Sequence, residues 1–219
     1  MMENHFSETH PKTEHTDSKS FDPDKRVEIN PKKSKSDQES FDPDKRVLSE
    51  SVNSAEKMDS RSADIEKQDT AIEKVESGET PLETSLDKGN YGEMKTDQDL
   101  RNQGYERISN DMVTSLSDPT RQGIDGVYYN KDGFPPYMIV DSKFGSAQLA
   151  EAADGRQMSQ SWIDARLENA VGADMADKIF DAMLDDKVGA YVARVDVEGN
   201  VSYHKLDENG YKIPEGAQS

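Results

Sequence analysis

The 219-residue chain carries 27 basic and 45 acidic side chains, which gives a formal net charge of −18, and it contains no cysteine. The lack of cysteine excludes disulfides and thiolate zinc sites. The acidic balance counts against a protein that holds nucleic acid through a broad basic face, because such a face needs an excess of lysine and arginine.

The sequence also lacks the features that a membrane protein or a histidine-based active site would need. No apolar run approaches the roughly 20 residues of a membrane span. The first residues, MMENHFSETH, lack the basic start and apolar core of a signal peptide. Only His204 of the four histidines lies beyond the polar N-terminal part, which leaves little for a histidine metal cluster or a Ser-His-Asp triad. We expect a protein that is made soluble and does not engage a membrane.

Residues 1–88 are poor in apolar side chains, and this composition predicts a disordered linker. The stretch SFDPDKRV occurs twice, at residues 20–27 and 40–47. One interpretation is a duplicated piece of linker, and the other is a short motif that a delivery or adaptor protein binds twice for avidity. Residues 54–76 show loosely helical spacing of apolar residues, which predicts a transient helix at most.

Residues 89–219 are richer in apolar side chains, and we place the domain boundary near Lys88-Gly89. The periodicity and the turn residues predict an α/β fold with helices and strands in mixed order. In chain order the predicted elements are a helix over 89–104, strands over 105–109, 124–130 and 137–143, helices over 157–172 and 173–186, and a hairpin over 188–206.

The segment YMIVDSK, residues 137–143, carries the candidate chemistry. Side chains alternate along a strand, so Asp141 and Lys143 project from the same face. A second acid, Asp125, lies between Ile124 and Gly126 where the preceding strand begins. Asp141 and Lys143 alone could be one solvated ion pair, of a kind that is common on strand faces. Two acids on apolar strands, however, need a partner or an ion.

Two carboxylates from adjacent strands suit a divalent ion, because magnesium prefers oxygen ligands and usually binds through one or two carboxylates together with waters and a phosphate. A neighbouring lysine can orient or deprotonate an attacking water, or stabilise charge that develops on the phosphate. This combination is typical of phosphodiester hydrolysis, and it requires neither histidine nor cysteine.

The ordered segments GNYGEMKTD, QGIDGVYYN, PPYMIVDSKFG and DGRQMSQSWIDARL extend the pattern over about residues 89–206. Together they resemble the C-terminal nuclease domains of bacterial polymorphic toxins in the PD-(D/E)xK superfamily. The resemblance implies a restriction-endonuclease-like mixed sheet flanked by helices. It does not cover the N-terminal segment. The family usually has Glu at the position of Asp141 and Tyr at the position of Phe144, so this chain departs from the pattern at both, and its second acid is one methylene group shorter.

Residue by residue, the resemblance implies a site for Mg²⁺ or Mn²⁺. Asp125 and Asp141 would be the two metal-binding acids, and Lys143 the catalytic lysine. Glu93, on the first helix of the domain, would approach the metal or its water. Gln157, on the helix after the catalytic strand, would contact the lysine, a metal-bound water or the substrate backbone.

The resemblance also implies a role. It predicts a metal-dependent endonuclease toxin used in bacterial competition, with DNA favoured over RNA as the substrate and a cognate immunity protein as a partner. The chain would leave the bacterial cytoplasm by a specialised secretion route and act in the cytoplasm of a target cell. Three alternatives stay open: a tRNA-cleaving toxin of the same fold, a repair or restriction nuclease, and a non-catalytic acidic adaptor.

Overall fold

The computed structural model describes residues 43–214 and residue 216, with side chains described from residue 59 onward. The helices are α1 Pro43–Glu76, α2 Ser85–Asn102, α3 Gln160–Asp164, α4 Leu167–Val171 and α5 Ala173–Leu184. The strands are β1 Glu106–Arg107, β2 Gly126–Tyr129, β3 Tyr137–Phe144, β4 Glu151–Ala152, β5 Gly155–Arg156, β6 Val188–Val195 and β7 Val201–Lys205.

Five strands form a mixed sheet in the order β1-β2-β3-β6-β7, which confirms the predicted α/β class. Neighbouring strands are antiparallel except for β3 and β6, which pair in parallel over eight residues. A parallel pair needs a long crossover connection. The segment with β4, β5 and helices α3 to α5 supplies that crossover, and β4 and β5 form a separate two-stranded hairpin.

The sheet is covered on both faces, as the alternation of its side chains requires. Ile139 of β3 and Val192 of β6 pack with Ile163, Leu167 and Ile179 of helices α3 to α5. The opposite face presents Met138, Val140 and Ala193, which pack with Leu100 of α2. The central strand β3 is therefore buried on both sides, and a charged residue on it is held in a fixed position.

The domain boundary expected at Lys88-Gly89 lies inside α2, and this expectation needs correction. Thr84 caps the helix in a capping box with Asp87, so α2 begins at Ser85. Upstream, Ile72 of α1 is 1% exposed and packs with Tyr91 and Met94 of α2. Asp44–Ser219 form one compact unit. A few apolar residues of α1 pack on α2. They are too few to raise the apolar content of residues 1–88, so composition did not reveal that α1 belongs to the folded unit.

Other expectations for the N-terminal part fall partly outside the described residues. The first SFDPDKRV copy and the polar segment before Pro43 lie there, as do the binding roles expected of them. The second copy enters α1 at Pro43, and the helix expected over 54–76 belongs to this longer helix. None of the described helices is long and apolar enough to cross a membrane.

The helix expected over 157–172 is two short helices, α3 and α4, and Gln157 precedes them both. The backbone at Met158 takes a φ of 68°, which helical residues do not adopt. The sequence predicted that Gln157 lies on the helix, and this prediction is wrong. Gln157 lies on the segment that links β5 to α3, and its own N–H donates to Ala150 O at 2.8 Å.

Candidate active site

A cleft of about 750 Å³ opens at the end of the sheet where β2 begins and β3 ends. Its walls include Glu93 from α2, Asp125 before β2, Lys143 of β3 and Gln157 before α3. Asp141 lies beneath the cleft with no exposed surface. The structure thus brings the five predicted site residues together, four on the walls and one below.

Asp125 and Asp141 face each other because of the strand register. In the antiparallel pair β2–β3, Gly126 is opposite Val140 and Val127 is opposite Ile139. Continuing this register by one residue places Asp125 opposite Asp141, with both side chains on one face of the sheet. Asp125 Oδ2 also accepts a hydrogen bond from the Ser142 N–H at 2.8 Å. The two carboxylates are therefore held by backbone pairing.

Asp141 is contacted by two further predicted residues, Lys143 and Gln157. Its Oδ2 forms an ion pair with Lys143 Nζ, and its Oδ1 accepts a hydrogen bond from Gln157 Nε2. The amide of Gln157 is fixed in turn, because its Oε1 accepts from the Ala150 N–H at 3.1 Å. Asp141 Oδ2 is buried, and the Lys143 ammonium is the partner that faces it. A buried carboxylate oxygen is unfavourable unless a donor or a cation faces it.

The acids of the cleft have raised pKa values. Burial, followed by the charge of Asp125, raises the pKa of Glu93 to about 8. Burial and then the charge of Asp125 also raise the pKa of Asp141 to about 7, against the opposing effect of Lys143. Burial raises the pKa of Asp125 as well, and Lys143 opposes that shift. Burial is the largest cause of all three shifts, and the charge of Asp125 adds to those of Glu93 and Asp141, so a cation beside the carboxylates would offset part of the repulsion.

Arg107 is a site residue that the sequence did not reveal. Its buried guanidinium pairs with Asp97 at 2.5 Å and donates to Tyr128 Oη at 3.2 Å. The same side chain donates to the main-chain oxygen of Asp125. Its charge also opposes the rise in the pKa of Glu93. The sequence did not indicate a role for Arg107, because it lies on a two-residue strand and its partners lie on other elements.

Cations line part of the cleft mouth. Lys88 and Arg121 are exposed there, and Arg166 stacks over the Trp162 ring at 4.4 Å. Trp162 is 4% exposed and belongs to the core. Arg156 is not on the cleft wall and pairs with Glu151 at 2.6 Å. The local field at the cleft therefore differs from the acidic balance of the whole chain.

The residues fit a magnesium or manganese ion in part. Among the described residues, no group of three or more His, Cys, Asp or Glu side chains is arranged to hold a metal ion. Two carboxylates are nevertheless within the usual requirement of magnesium, which keeps several waters. The facing carboxylates of Asp125 and Asp141 are the observation that supports a cation between them, while Asp141 Oδ2 already has Lys143 Nζ as its cationic partner.

Comparison with known proteins gives no match: no family model, no curated protein and no solved structure matches this chain.

Proposed function

We propose that the cleft is the active site of a metal-dependent nuclease that hydrolyses phosphodiester bonds. The observation that carries this proposal is the pairing of Asp125 with Asp141 across the sheet, with Lys143 bound to Asp141 at the floor of an open cleft. The mixed sheet with helices on both faces is compatible with a restriction-endonuclease-like core, which the motif order over residues 89–206 suggests.

Each site residue has a role that its surroundings support. Asp125 and Asp141 would hold Mg²⁺ or Mn²⁺, which when bound polarises a phosphate oxygen and acidifies water. Lys143, 16% exposed at its side chain, reaches from the buried Asp141 to the cleft and can stabilise charge that develops on the phosphate. Gln157 fixes Asp141 by its hydrogen bond. Glu93, with a pKa near 8, can take up or release a proton at neutral pH.

The proposed substrate is a nucleic acid, with DNA favoured over RNA. The exposed Lys88 and Arg121 offer cationic contacts for a phosphate backbone at the cleft mouth. The preference for DNA rests on the QMS-x-x-WI segment, which resembles toxin DNases, while relatives of the same fold cut tRNA. On this proposal the chain is a toxin that acts in a target-cell cytoplasm, and the producing cell needs an immunity protein.

The test is a cleavage assay with the full chain. Plasmid DNA and total RNA are incubated with the protein and Mg²⁺ or Mn²⁺, with and without EDTA. We expect cleavage that EDTA abolishes and that Asp141→Asn removes, while Asp174→Asn on the exposed face of α5 cuts like the parent. Intact DNA and RNA under all these conditions, or equal cleavage by Asp141→Asn, would reject the proposal.

The acidic surface favours one alternative, a non-catalytic adaptor for a basic partner. The exposed face of α5 presents Asp174, Asp177 and Asp181, with Asp185 directly after it. Cytoplasmic expression separates the two functions. Toxicity that Lys143→Ala abolishes supports the nuclease, whereas an inert chain that captures a basic protein through α5 supports the adaptor.

A further inference from the structure

Asp125 lies just outside the β2–β3 ladder, so other contacts must fix its main chain. Its carboxylate accepts from the Ser142 N–H at 2.8 Å, and its main-chain oxygen accepts from Arg107 Nη2. Arg107 also donates from Nε to Asp111 O at 2.9 Å. One guanidinium therefore ties together the two ends of the 111–125 loop, and the position of the Asp125 carboxylate depends on where Arg107 is held.

Asp97 fixes the position of Arg107, and its two carboxylate oxygens bind different partners. Asp97 Oδ1 pairs with Arg107 and accepts from the Tyr128 hydroxyl. Asp97 Oδ2 accepts from Gln68 Nε2 of α1 at 2.7 Å. Asp97 is 3% exposed, so the loss of a partner would leave a largely buried carboxylate oxygen without its hydrogen bond.

Gln68 links α1 to this group of buried residues. Its side chain has no exposed surface, and its Nε2 donates both to Asp97 Oδ2 and to Val113 O, the latter at 2.6 Å. Val113 belongs to the same loop that Arg107 closes. A glutamine that is buried on a helix otherwise rich in exposed charge indicates a specific task, because burial of an amide is unfavourable without good partners.

We propose that Gln68 is a positioning residue of the candidate site, acting through Asp97 and Arg107 on the Asp125 carboxylate. On this view α1 must be docked on α2 for the site to bind a divalent cation. The effects on cation binding and on cleavage rest on the proposed metal-dependent nuclease function, while the effect on the Asp125 carboxylate does not.

The experiment compares the full-length parent with Gln68→Met, which keeps the side-chain length and removes both hydrogen bonds. Asp69→Asn is the matched control, because Asp69 is the next residue on α1 and pairs with Arg101 of α2 at 2.6 Å without touching Asp97. Three properties are measured: hydrogen exchange at the Ser142 amide by NMR, Mn²⁺ affinity by electron paramagnetic resonance, and plasmid cleavage.

In Gln68→Met we expect Ser142 amide exchange to be about 10-fold faster, since its acceptor is no longer fixed. We expect Mn²⁺ affinity and the cleavage rate to fall about 10-fold, the lower end of what loss of an outer partner of a metal ligand produces. The amides that pair β3 with β6 should keep their protection, and Asp69→Asn should match the parent in all three properties.

Unchanged Ser142 exchange and Mn²⁺ affinity in Gln68→Met would overturn the inference, even if the parent cuts DNA. Equal changes in Asp69→Asn would also overturn it, because the effect would then belong to the α1–α2 contact in general. A parent that binds Mn²⁺ but cuts nothing, with Ser142 still responding to Gln68→Met, would reject the nuclease and keep the inference. If Gln68→Met does not fold by circular dichroism, Gln68→Asn, which keeps the amide but shortens the side chain by one methylene group, decides by the same measurements.

Discussion

Asp141 lies opposite Asp125 across the β2–β3 pair, and burial together with the charge of Asp125 raises the pKa of Asp141 to about 7. Two facing acids, of which one is fully buried, repel each other unless a proton or a cation lies between them. Lys143, two residues further along β3, offsets part of this repulsion because its ammonium contacts Asp141 Oδ2. A bound divalent cation would offset the remaining repulsion between the two carboxylates.

Lys143→Met should reduce the rate of plasmid cleavage by about 100-fold or more, the usual effect of removing one group that stabilises charge in a transition state. The measurement is a single-turnover time course at saturating Mg²⁺. Lys178→Met on the exposed face of α5 is the control and should cut like the parent. A Lys143→Met protein that keeps the parental rate would remove Lys143 from the catalytic group.

Without metal, the stability of the protein should fall as the pH rises from about 4.5 to about 8. The pKa of Glu93 is raised from 4.5 to about 8, so the folded state binds more protons than the unfolded state between these values. The stabilisation is complete below pH 4.5 and is lost as the pH rises through 8. The check is thermal melting in EDTA across this range.

Glu93→Gln should reduce that pH dependence, leaving the part due to Asp141, whose pKa is raised to about 7, and should raise the melting temperature at pH 8. A gain of 1 kcal/mol corresponds to about 2–4 °C in a chain of this size. Glu106→Gln, a change at an exposed position on β1, should leave the parental slope intact. If Glu93→Gln retains the full slope, Glu93 is not the group that titrates in this window.

Gly126→Ala should destabilise the protein by about 1–3 kcal/mol, the usual range for overpacking. A Cβ at this position would lie 2.6 Å from Tyr128 Cζ, and the Tyr128 ring is held by its bonds to Asp97 and Arg107. Gly89→Ala in α2 is the opposite control, since nothing lies within 4 Å of the added methyl group. It should stabilise the helix by about 0.5–1 kcal/mol. Urea denaturation measures both, and equal effects would contradict the packing argument.

Ile72→Ala should cost about 2–5 kcal/mol, because Ile72 is a buried residue between α1 and α2. Val197→Ala, at a site that is 76% exposed, should change stability little. The free energy of unfolding is measured by urea titration of each variant. A near-silent Ile72→Ala would mean that α1 does not contribute to the folded unit in solution.

The sequence predicted the sheet well where its signals are local. Alternation along YMIVDSK placed Asp141 and Lys143 on one face, and β3 has that arrangement. Short apolar runs bounded by turn residues located β2, β6 and β7, since such runs form buried strands with few alternatives. The pairing of Asp125 with Asp141 followed once two adjacent strands were recognised.

The features that the sequence missed depend on contacts between distant segments. Gln68, Asp97 and Arg107 are separated by 29 and 10 residues, and none is unusual in its local setting. The capping pattern from Thr84 to Asp87 could have located the start of α2. The boundary was instead placed by composition, which put it four residues too late, at Gly89 instead of Ser85. The break between Gln157 and α3 had no local signal, because a positive φ at a methionine depends on its buried surroundings.

The pairing of β3 on both of its edges also determines where the chain can accept change. A shift of β3 by one residue would exchange its two faces, so that Asp141 would take the place of Val140 in the core. Insertion or deletion within residues 137–144 should therefore abolish folding rather than retune the site. The turn before β3, where Lys131, Asp132 and Phe134 are exposed, is the place to add a reporter or a tether.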